Sequence, residues 1–468
     1  MKMSSSFFFK SGGKSSKKRK HTSESSATQK PMSEYAIHRP KAVNEEILSS
    51  DESEYNAEVE GYPLASDEDE MPQDKRLRLA KKYLSEIKTQ EAEHFDGLKI
   101  NQNMEQRLQV EYLESIGKLH RNIAAGVIMC GVGLVLKHKL HHAPICSQVL
   151  SADGRYLYTG AKSQYVLKWS TESGKVLAKF DVTPTREDHD TGTKRRSHVI
   201  AITLSTDMKF LALAEGGSHI QIWCPVTMKH LKTFKGHRDI VSSLVFRKGS
   251  HELYSVAKDR SVKIWSLDEM AYVETLFGHQ SGVTSIDALD RERAITAGGS
   301  DCSLRIWKIK EESQLIYNGH RDGIECVKFL NDEHFISGGV DGSIGLWTTL
   351  KKKPLCMANQ AHGIAENGVA NGITAIAVIV NTDLVASGSY DGYVRLWKVI
   401  QQARKLQPVH IIPISGFINS LIFSIDGTKL YVAVGKEHRL GRWWRHKEAQ
   451  NSIIVVNVKL QYENTALT

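Results

Sequence analysis

The sequence predicts an all-β fold, a closed ring of seven four-stranded sheets that forms a β-propeller. Seven short segments rich in β-branched residues each end with a tryptophan, and successive tryptophans are 54, 42, 42, 40, 50 and 47 residues apart. Gly, Asp and Ser separate these strands from about residue 125 onward. A repeat of about 40 to 45 residues with four strands per unit is typical of a propeller. The seven landmarks are Trp169, Trp223, Trp265, Trp307, Trp347, Trp397 and Trp444.

Residues of four types recur at fixed positions in the repeats, which is the pattern of WD repeats. An Asp lies six residues before the Trp, a Ser four residues before the Asp, and a Gly-His pair further upstream. We expect these residues to form a buried hydrogen-bonded tetrad. A catalytic triad uses similar residues, but it occurs once per site, whereas this set recurs. The predicted tetrad residues are His237, Ser255, Asp259 and Trp265; His279, Asp301 and Trp307; His320, Ser337, Asp341 and Trp347; and Ser387, Asp391 and Trp397.

The tetrad is incomplete in several blades. Blades 1 and 2 have Ser163 and Gly217 at the Asp position. Blade 4 has Ala297 at the Ser position, and blade 7 is predicted to have His438 at the Asp position. Blade 6 has a long loop before its first strand, from about residue 362 to 372. Only blades 3 and 5 carry the full set, and such departures on a shared scaffold are where a specific function is expected.

Charge patterning predicts that residues 1–70 are a disordered tail, basic and then acidic, because runs of like charge do not collapse. The acidic blocks at residues 49–54 and 66–70 place Ser near Asp and Glu, the context that acid-directed kinases favour. The basic cluster is predicted to be a nuclear-import signal. The alternative is a solubilising tail. The cluster comprises Lys17, Lys18, Arg19 and Lys20, with Lys14 nearby.

Residues 71–125 are predicted to form a helical extension. Apolar residues share one stripe between Gln73 and His94, flanked by cations. A second helix is predicted from Asn101 to about Ala124. A basic amphipathic helix outside the main domain could dock on the propeller, on RNA or on another protein, and docking on a protein is the commonest case. The stripe consists of Leu77, Ala80, Leu84 and Ile87.

The propeller is predicted to span residues 133–460. An apolar run broken by glycines, Ile123 to Leu136, precedes and overlaps its start. Strands near residues 134–137 and 453–458 both compete for the outer edge of blade 7. The sequence leaves open how the ring closes.

Composition and motifs exclude several function classes. Lys plus Arg is 62 and Asp plus Glu is 53, a net charge of +9 that favours nucleic acid over membrane as a partner. The alternative is a basic surface without such a partner. The six cysteines form no CxxC pair, and the longest apolar run is too short to span a bilayer. No cofactor motif is found. The only metal candidates, His138, His141, His142 and Cys146, lack the spacing of a zinc module.

The turns that lead into the blades and those between second and third strands share one face of a propeller. Their cations form a candidate surface for a phosphate backbone or another partner. Propeller rims are commonly charged, and Asp239, Asp322 and Glu437 offset part of this charge. The candidates are Lys194, Arg195 and Arg196 in a long loop between blades 1 and 2; Lys235, Arg238, Lys258 and Arg260; Arg321; and Lys436, His438 and Arg439.

Blade 7 carries an unusual doubled tryptophan, Trp443 and Trp444, flanked by arginines. We expect one Trp to pack between sheets and the other to be exposed. An exposed Trp beside Arg can stack on a base or anchor a protein. Arg442, Trp443 and Arg445 therefore complete the predicted binding residues.

Several segments resemble the WD-repeat protein family specific to the U3 small nucleolar ribonucleoprotein. The resemblance covers the propeller and part of the N-terminal region, and the blade 7 segment is its most specific part. The chain departs from the family pattern at residues 121–142, where the glycine-broken apolar run replaces an expected polar link into the first blade. The segments are Gly435–Arg445, Lys258–Trp265, Tyr272–His279, Glu311–Leu315, Gly416–Leu421 and Leu77–Lys81.

The resemblance implies a non-catalytic nucleolar component of this particle. It would bind the box B/C region of U3 small nucleolar RNA together with a small kink-turn-binding protein. It would act with other small-subunit processome proteins in pre-rRNA processing and small-subunit assembly. A second hypothesis is a substrate receptor of a ubiquitin ligase, or a chromatin adaptor. Such receptors usually have Asp after the blade Trp, and this chain never does. An enzyme is a third and more distant hypothesis.

Overall fold

The structure, a computed structural model, describes residues 72–94, 100–115, 119–182, 198–365, 368–400, 404–441 and 445–460. The predicted import cluster and both acidic blocks lie outside the described residues. The chain divides into two compact units, residues 1–81 and 82–468, and the second contains the propeller.

Seven antiparallel four-stranded sheets form the propeller, which confirms the predicted fold class. In the order of the chain, each of the first six blades uses four consecutive strands. Blade 1 comprises β2 (Ile145–Leu150), β3 (Tyr156–Ala161), β4 (Tyr165–Ser170) and β5 (Val176–Asp181). Blade 2 comprises β6 (Val199–Leu204), β7 (Leu211–Glu215), β8 (Ile220–Trp223) and β9 (His230–Phe234). Blade 3 comprises β10 (Val241–Phe246), β11 (Glu252–Ala257), β12 (Ser261–Ser266) and β13 (Ala271–Phe277).

The second half of the ring follows the same plan until its last blade. Blade 4 comprises β14 (Val283–Ala288), β15 (Arg293–Gly298), β16 (Ser303–Lys308) and β17 (Ser313–Asn318). Blade 5 comprises β18 (Ile324–Phe329), β19 (His334–Gly339), β20 (Ile344–Thr348) and β21 (Lys351–Ala358). Blade 6 comprises β22 (Ile373–Val378), β23 (Leu384–Ser389), β24 (Tyr393–Ile400) and β25 (Lys405–Pro413). Blade 7 comprises β26 (Phe417–Phe423), β27 (Lys429–Gly435), β28 (Ser452–Leu460) and β1 (Val127–Leu136).

The first strands of the blades form the central ring. Each contacts the first strands of both neighbouring blades, and β2 contacts β26 where blade 1 meets blade 7. The apolar cores lie between adjacent blades, as where Ala212 of blade 2 packs with Leu253 and Trp265 of blade 3. Since an inner strand is covered on both faces, all six residues of β6 are buried. Along the outer strand β5, by contrast, exposed residues alternate with buried or partly buried ones.

The strand β1 closes the ring as the outermost strand of blade 7. It pairs antiparallel with β28, for example Val132 with Val456 and Cys130 with Val458. The two strands that the sequence offers for the outer edge of blade 7 are therefore both used: β28 is its third strand and β1 is its fourth, outermost strand. The strand β1 begins at Val127, six residues before the predicted start of the propeller, so the glycine-broken apolar run is a strand of blade 7.

The landmark predicted for blade 7 is wrong, although the number of blades is correct. Trp265 pairs with Leu253 in blade 3, and the equivalent pair in blade 7 is Leu430 with Val456. Val456 therefore occupies the place of the Trp, in a strand that begins eight residues after Trp444. Trp444 itself lies outside the described residues.

Two helices precede the propeller, α1 (Pro72–His94) and α2 (Ile100–Ser115). In the first unit Leu77 is exposed; in the second, Leu84 is exposed and Ile87 is buried. The prediction that the second helix continues to about Ala124 is wrong. Helix α2 ends at Ser115, and residues 119–123 form no helix: Arg121 makes a β-bridge with Thr382, and Asp383 Oδ1 accepts hydrogen bonds from the backbone N–H groups of Ile123 and Ala124 at 2.7 and 2.9 Å.

The described part of the chain shows no helix long and apolar enough to cross a membrane. Its described side chains hold no group of three or more His, Cys, Asp or Glu placed to bind a metal ion. All six cysteines are free thiols.

Candidate functional site

The tetrad of blade 3 has the predicted geometry. His237 Nδ1 lies 2.9 Å from Asp259 Oδ2, and its Nε2 lies 2.8 Å from Ser255 Oγ. Trp265 donates its indole N–H to the same oxygen at 2.8 Å. Burial opposes ionisation of Asp259, but hydrogen bonds from His237, Ser261 and backbone N–H groups outweigh it and hold the pKa of Asp259 below its usual value. These contacts tie both turns to the third strand and leave Ser255 fully buried.

Blade 5 repeats this arrangement with one change. His320 Nε2 lies 2.6 Å from Ser337 Oγ, which also accepts the indole N–H of Trp347 at 2.8 Å. Its Nδ1 lies closer to Ser343 Oγ, at 2.9 Å, than to Asp341, at 3.5 Å. Asp341 still orders the turn by accepting the Arg321 backbone N–H at 3.0 Å.

The prediction that only blades 3 and 5 have the full set is wrong. In blade 4 the hydroxyl comes from Thr296, one residue before Ala297; it lies 2.7 Å from His279 Nε2 and accepts the indole N–H of Trp307 at 2.9 Å. His279 Nδ1 lies 2.8 Å from Asp301, whose pKa is lowered to about 2 because hydrogen bonds, chiefly with His279, outweigh the opposing effect of burial.

Blade 6 is also complete, because its long loop supplies the missing His. His362 Nδ1 lies 2.9 Å from Asp391 Oδ2, and Nε2 lies 2.8 Å from Ser387 Oγ. Trp397 donates to the same Ser387 oxygen at 2.8 Å. The loop inserted between His362 and β22 therefore leaves the tetrad intact.

Blades 7, 1 and 2 are consecutive in the closed ring, and each lacks the tetrad Asp. The strand register places Ser163 in blade 1 and Gly217 in blade 2 where blade 3 has Asp259. In blade 7 the same register places Lys436 there, so the prediction of His438 at this position is wrong. A neutral hydroxyl, a glycine and a cation therefore replace a carboxylate in three adjoining blades.

Blade 1 keeps part of the tetrad. His141 Nε2 lies 2.8 Å from Thr159 Oγ1, which accepts the indole N–H of Trp169 at 2.8 Å. His141 Nδ1 and Ser163 Oγ are buried and have no hydrogen-bond partner among the described residues. Burial, with His138 and His142 nearby, lowers the pKa of His141 to about 3, so its ring is neutral.

A cavity of about 920 Å³ opens beside these divergent blades, and we call it the rim cavity. Turns of blades 7, 1, 2 and 3 line it. It contains four of the predicted binding residues, Lys258, Lys436, Arg439 and Arg445, together with Ser163. The structure therefore brings together cations that are up to 187 residues apart in sequence (445 minus 258).

Lys162 anchors one wall of the rim cavity, and the sequence analysis did not identify it. Its ammonium donates to the carbonyl oxygens of His438 at 2.5 Å and Gly441 at 2.9 Å. Asn419 accepts the backbone N–H of Arg439 at 3.0 Å and donates to the Glu437 carbonyl at 3.2 Å. The loop after β27 is thus fixed to blade 1 and to its own blade. The position of Lys162, next to Ser163, was the only signal available in the sequence.

Two predicted binding residues of this loop have structural roles instead. Arg439 crosses to blade 5, where its Nη2 donates to the Glu325 carbonyl at 3.1 Å and lies 3.3 Å from the Glu325 carboxylate. Burial lowers the pKa of His438 to about 4, and Arg439 and Lys162 act in the same direction. His438 is therefore uncharged at neutral pH and cannot serve as the cation that we predicted.

The other predicted binding residues divide into two groups. Lys235, Arg238, Arg260 and Arg321 are exposed but do not line the rim cavity. Arg238 and Arg321 follow the tetrad His in their turns, and Asp259 or Asp341 holds the backbone of each. Five predicted residues lie outside the described residues: Lys194, Arg195, Arg196, Arg442 and Trp443.

This fold, with its repeated tetrads, defines the class of WD-repeat β-propellers. The WD domain, G-beta repeat family matches residues 228–266, 270–308, 311–348 and 362–398. These four segments contain the Trp residues of blades 3 to 6, which are the blades with complete tetrads.

Comparisons that cover most of the chain identify the family. The human U3 small nucleolar RNA-interacting protein 2 is 46% identical over 84% of this chain and 83% of its own length. The Arabidopsis thaliana U3 snoRNP-associated protein-like EMB2271 is 32% identical over 93% of this chain and 96% of its own. The solved structure of the RRP9 WD40 repeats is 43% identical, with a TM-score of 0.66 over 73% of this chain and all of that one. The chain belongs to the family of U3 small nucleolar RNA-interacting protein 2.

Proposed function

We propose that the protein is a non-catalytic component of the U3 small nucleolar ribonucleoprotein in the nucleolus. It binds the box B/C region of U3 small nucleolar RNA together with a small kink-turn-binding protein. It acts with other small-subunit processome proteins in pre-rRNA processing and small-subunit assembly. The observation that carries this proposal is the 46% identity, over 84% of this chain, with a human protein named for its interaction with this RNA.

The charge of one face supports RNA as the partner. Lys258, Lys436 and Arg445 gather at the rim cavity, and Arg238 and Arg321 are exposed in the equivalent turns of blades 3 and 5. Such cations bind phosphates regardless of base and account for salt-sensitive affinity. A protein contact beside the RNA would supply the sequence discrimination that phosphate contacts lack.

The burial of the tetrads supports a scaffold rather than an enzyme. The side chain of His237 is fully buried, and so are those of His279, His320 and His362. Ser255 already accepts the indole N–H of Trp265 and lies against His237, so its oxygen has no approach for a substrate. A nucleophile must reach a reacting carbon, whereas these hydroxyls hold strands together.

Crosslinking in cells tests the proposal. The tagged full-length protein is crosslinked with ultraviolet light, and the bound RNA is sequenced while crosslinked peptides are mapped. We expect enrichment of U3 RNA at its box B/C region, with peptides from turns of blades 3, 5 and 7. Background RNA accompanied by a ubiquitin ligase or chromatin complex would refute the proposal and leave only the fold.

Reconstitution tests the protein partner. Binding of the full-length protein to box B/C RNA is measured with and without the small kink-turn-binding protein. We expect the two proteins together to bind at least tenfold more tightly than this protein alone, because each supplies part of one composite surface. Equal affinity in both measurements would show that the kink-turn-binding protein is not part of the site.

A further inference from the structure

The rim cavity suggests a more specific ligand than the whole RNA. We propose that it takes one or two unpaired nucleotides from a single-stranded segment of the bound RNA. This inference rests on the proposed function and deepens it, because it assigns a chemical class of ligand to one part of the face.

The size of the rim cavity favours an unpaired nucleotide over a helix. Its volume of about 920 Å³ falls in the range of about 300–1,000 Å³ that is typical of small-ligand sites. A double helix is too wide to enter it, whereas single-stranded RNA can splay out a base. Rings of His142, Tyr165 and His198 lie in its lining, and aromatic faces of this kind stack on bases.

The loss of three carboxylates favours an anion in the rim cavity. In blades 3 and 4 the tetrad places Asp259 and Asp301 in this turn, each with a lowered pKa and hence a negative charge. The same place is occupied by Ser163, Gly217 and Lys436 in blades 1, 2 and 7. An Asp in any of these three turns would repel a phosphate, so the cavity lies where the ring of carboxylates is interrupted.

Two lysines have the bonding capacity to hold a phosphate there. Lys258 and Lys436 belong to blades 3 and 7, at the two ends of the arc of blades that lines the cavity. Neither ammonium makes a hydrogen bond or ion pair with the described part of the chain. Lys162 and Arg439, by contrast, are committed to carbonyl groups and to Glu325.

The remaining polar groups of the rim cavity fit the same ligand. Glu437 also lines it, but its carboxylate lies 3.8 Å from the Arg445 guanidinium, which offsets its charge. Ser163 is 5% exposed, lines the cavity, and its hydroxyl has no partner among the described residues. Ser163 places a neutral side chain at the position where a tetrad Asp would place a negative charge.

Binding of defined oligonucleotides tests the inference. The probes are a five-nucleotide single-stranded RNA and a blunt RNA duplex, each titrated against the full-length protein at several salt concentrations. For Lys258→Met with Lys436→Met we expect at least tenfold weaker binding of the single strand. The slope of log affinity against log salt should fall by about 1.4, since each lost phosphate contact contributes about 0.7 for single strands.

The matched control removes two cations that lie outside the predicted binding surface. Lys351→Met with Lys352→Met, both exposed on the outer strand β21 of blade 5, has the same net charge as the lysine pair, and we expect less than threefold weaker binding of the single strand. Duplex binding should change equally in both double variants. Equal losses of single-strand affinity in the two variants, or equal losses for single strand and duplex, would refute a nucleotide site in the cavity.

Restoring the missing carboxylate separates binding from folding. Ser163→Asp should give His141 Nδ1 the partner that it lacks, so we expect a melting temperature equal to or above that of the wild type. The same variant should bind the single strand at least tenfold more weakly, because the new negative charge would lie in a turn that lines the cavity and would repel a phosphate there. Unchanged affinity in a stable Ser163→Asp protein would overturn the inference.

The two proposals can fail separately. If crosslinking in cells recovers U3 RNA but the oligonucleotide measurements show no role for Lys258, Lys436 or Ser163, the proposed function stands and the cavity assignment fails. If the wild type recovers no U3 RNA, the proposed function fails whatever the oligonucleotides show. Displacement of the single strand by a Glu-rich peptide of equal charge and equal affinity would instead assign the cavity to a protein.

Discussion

The tetrad of blade 3 supports a quantitative prediction for Ser255→Ala. The Ser255 oxygen accepts the indole N–H of Trp265 at 2.8 Å and lies 2.8 Å from His237 Nε2, and all three side chains are buried. The substitution removes the oxygen and leaves two buried polar groups without a partner. Each such group costs about 1–3 kcal/mol, so we expect a loss of about 2–6 kcal/mol of unfolding free energy.

Chemical denaturation, followed by tryptophan fluorescence and by circular dichroism, measures this loss. Ser266→Ala is the matched control: it lies at the half-buried end of β12 and accepts only one long contact, from the Glu269 backbone at 3.4 Å. We expect it to change the unfolding free energy by less than about 0.5 kcal/mol. A Ser255→Ala protein as stable as this control, with an unchanged denaturant slope, would refute the structural role assigned to the tetrad.

Three further predictions concern the ion pair between Arg439 and Glu325, the pH dependence of stability and the N-terminal tail. Glu325→Gln should cost about 1–3 kcal/mol of unfolding free energy because it removes the charge opposite the largely buried Arg439 guanidinium; an effect no larger than that of the exposed-pair control Glu311→Gln would contradict it. The folded-state pKa of Asp301 is depressed to about 2, so its stabilising contribution is present above about pH 3.9, the unfolded value, and is lost as pH falls toward 2. Melting temperatures of the wild type and Asp301→Asn should therefore converge over that window, and a constant difference between them would contradict the assignment. Replacing Lys17, Lys18, Arg19 and Lys20 by Ala should shift a fluorescently tagged protein from nucleus to cytoplasm, and unchanged nuclear imaging would make the cluster a solubilising tail.

The repeat pattern was sufficient to predict the fold because every blade is built from the same contacts between residues that are close in sequence. The Trp of a blade lies on the strand that pairs directly with the strand carrying the hydroxyl that it bonds, and because the two strands form one hairpin, the turn between them sets the spacing. In blade 3 this spacing runs from Ser255 to Trp265, and blade 6 keeps it from Ser387 to Trp397. Local regularity of this kind is visible in a sequence without any knowledge of distant contacts.

The errors arose where the spacing changes or where the contact is distant in sequence. The extra turn residue before Asp301 moves the hydroxyl of blade 4 to Thr296, and the long loop moves His362 to 29 residues before Asp391. Pairing of β1 with β28 joins segments more than 300 residues apart, which no local pattern encodes. Lys162 donates to the carbonyl groups of His438 and Gly441, and a carbonyl acceptor is present in every residue type, so the sequence does not reveal these partners.

The arrangement of complete and incomplete blades links the fold to the proposed function. Blades 3 to 6 are consecutive, keep the tetrad and match the repeat family. Blades 7, 1 and 2 adjoin one another because β1 closes the ring, and all three have exchanged the turn carboxylate for a neutral or cationic residue. Simple loss of the tetrad Asp would not require that a cation, Lys436, take its place in blade 7. It would also not require that Lys162 and Glu325 anchor the neighbouring loop. A partner with phosphate groups accounts for both, since it needs positive charge and a loop that is already in place before binding.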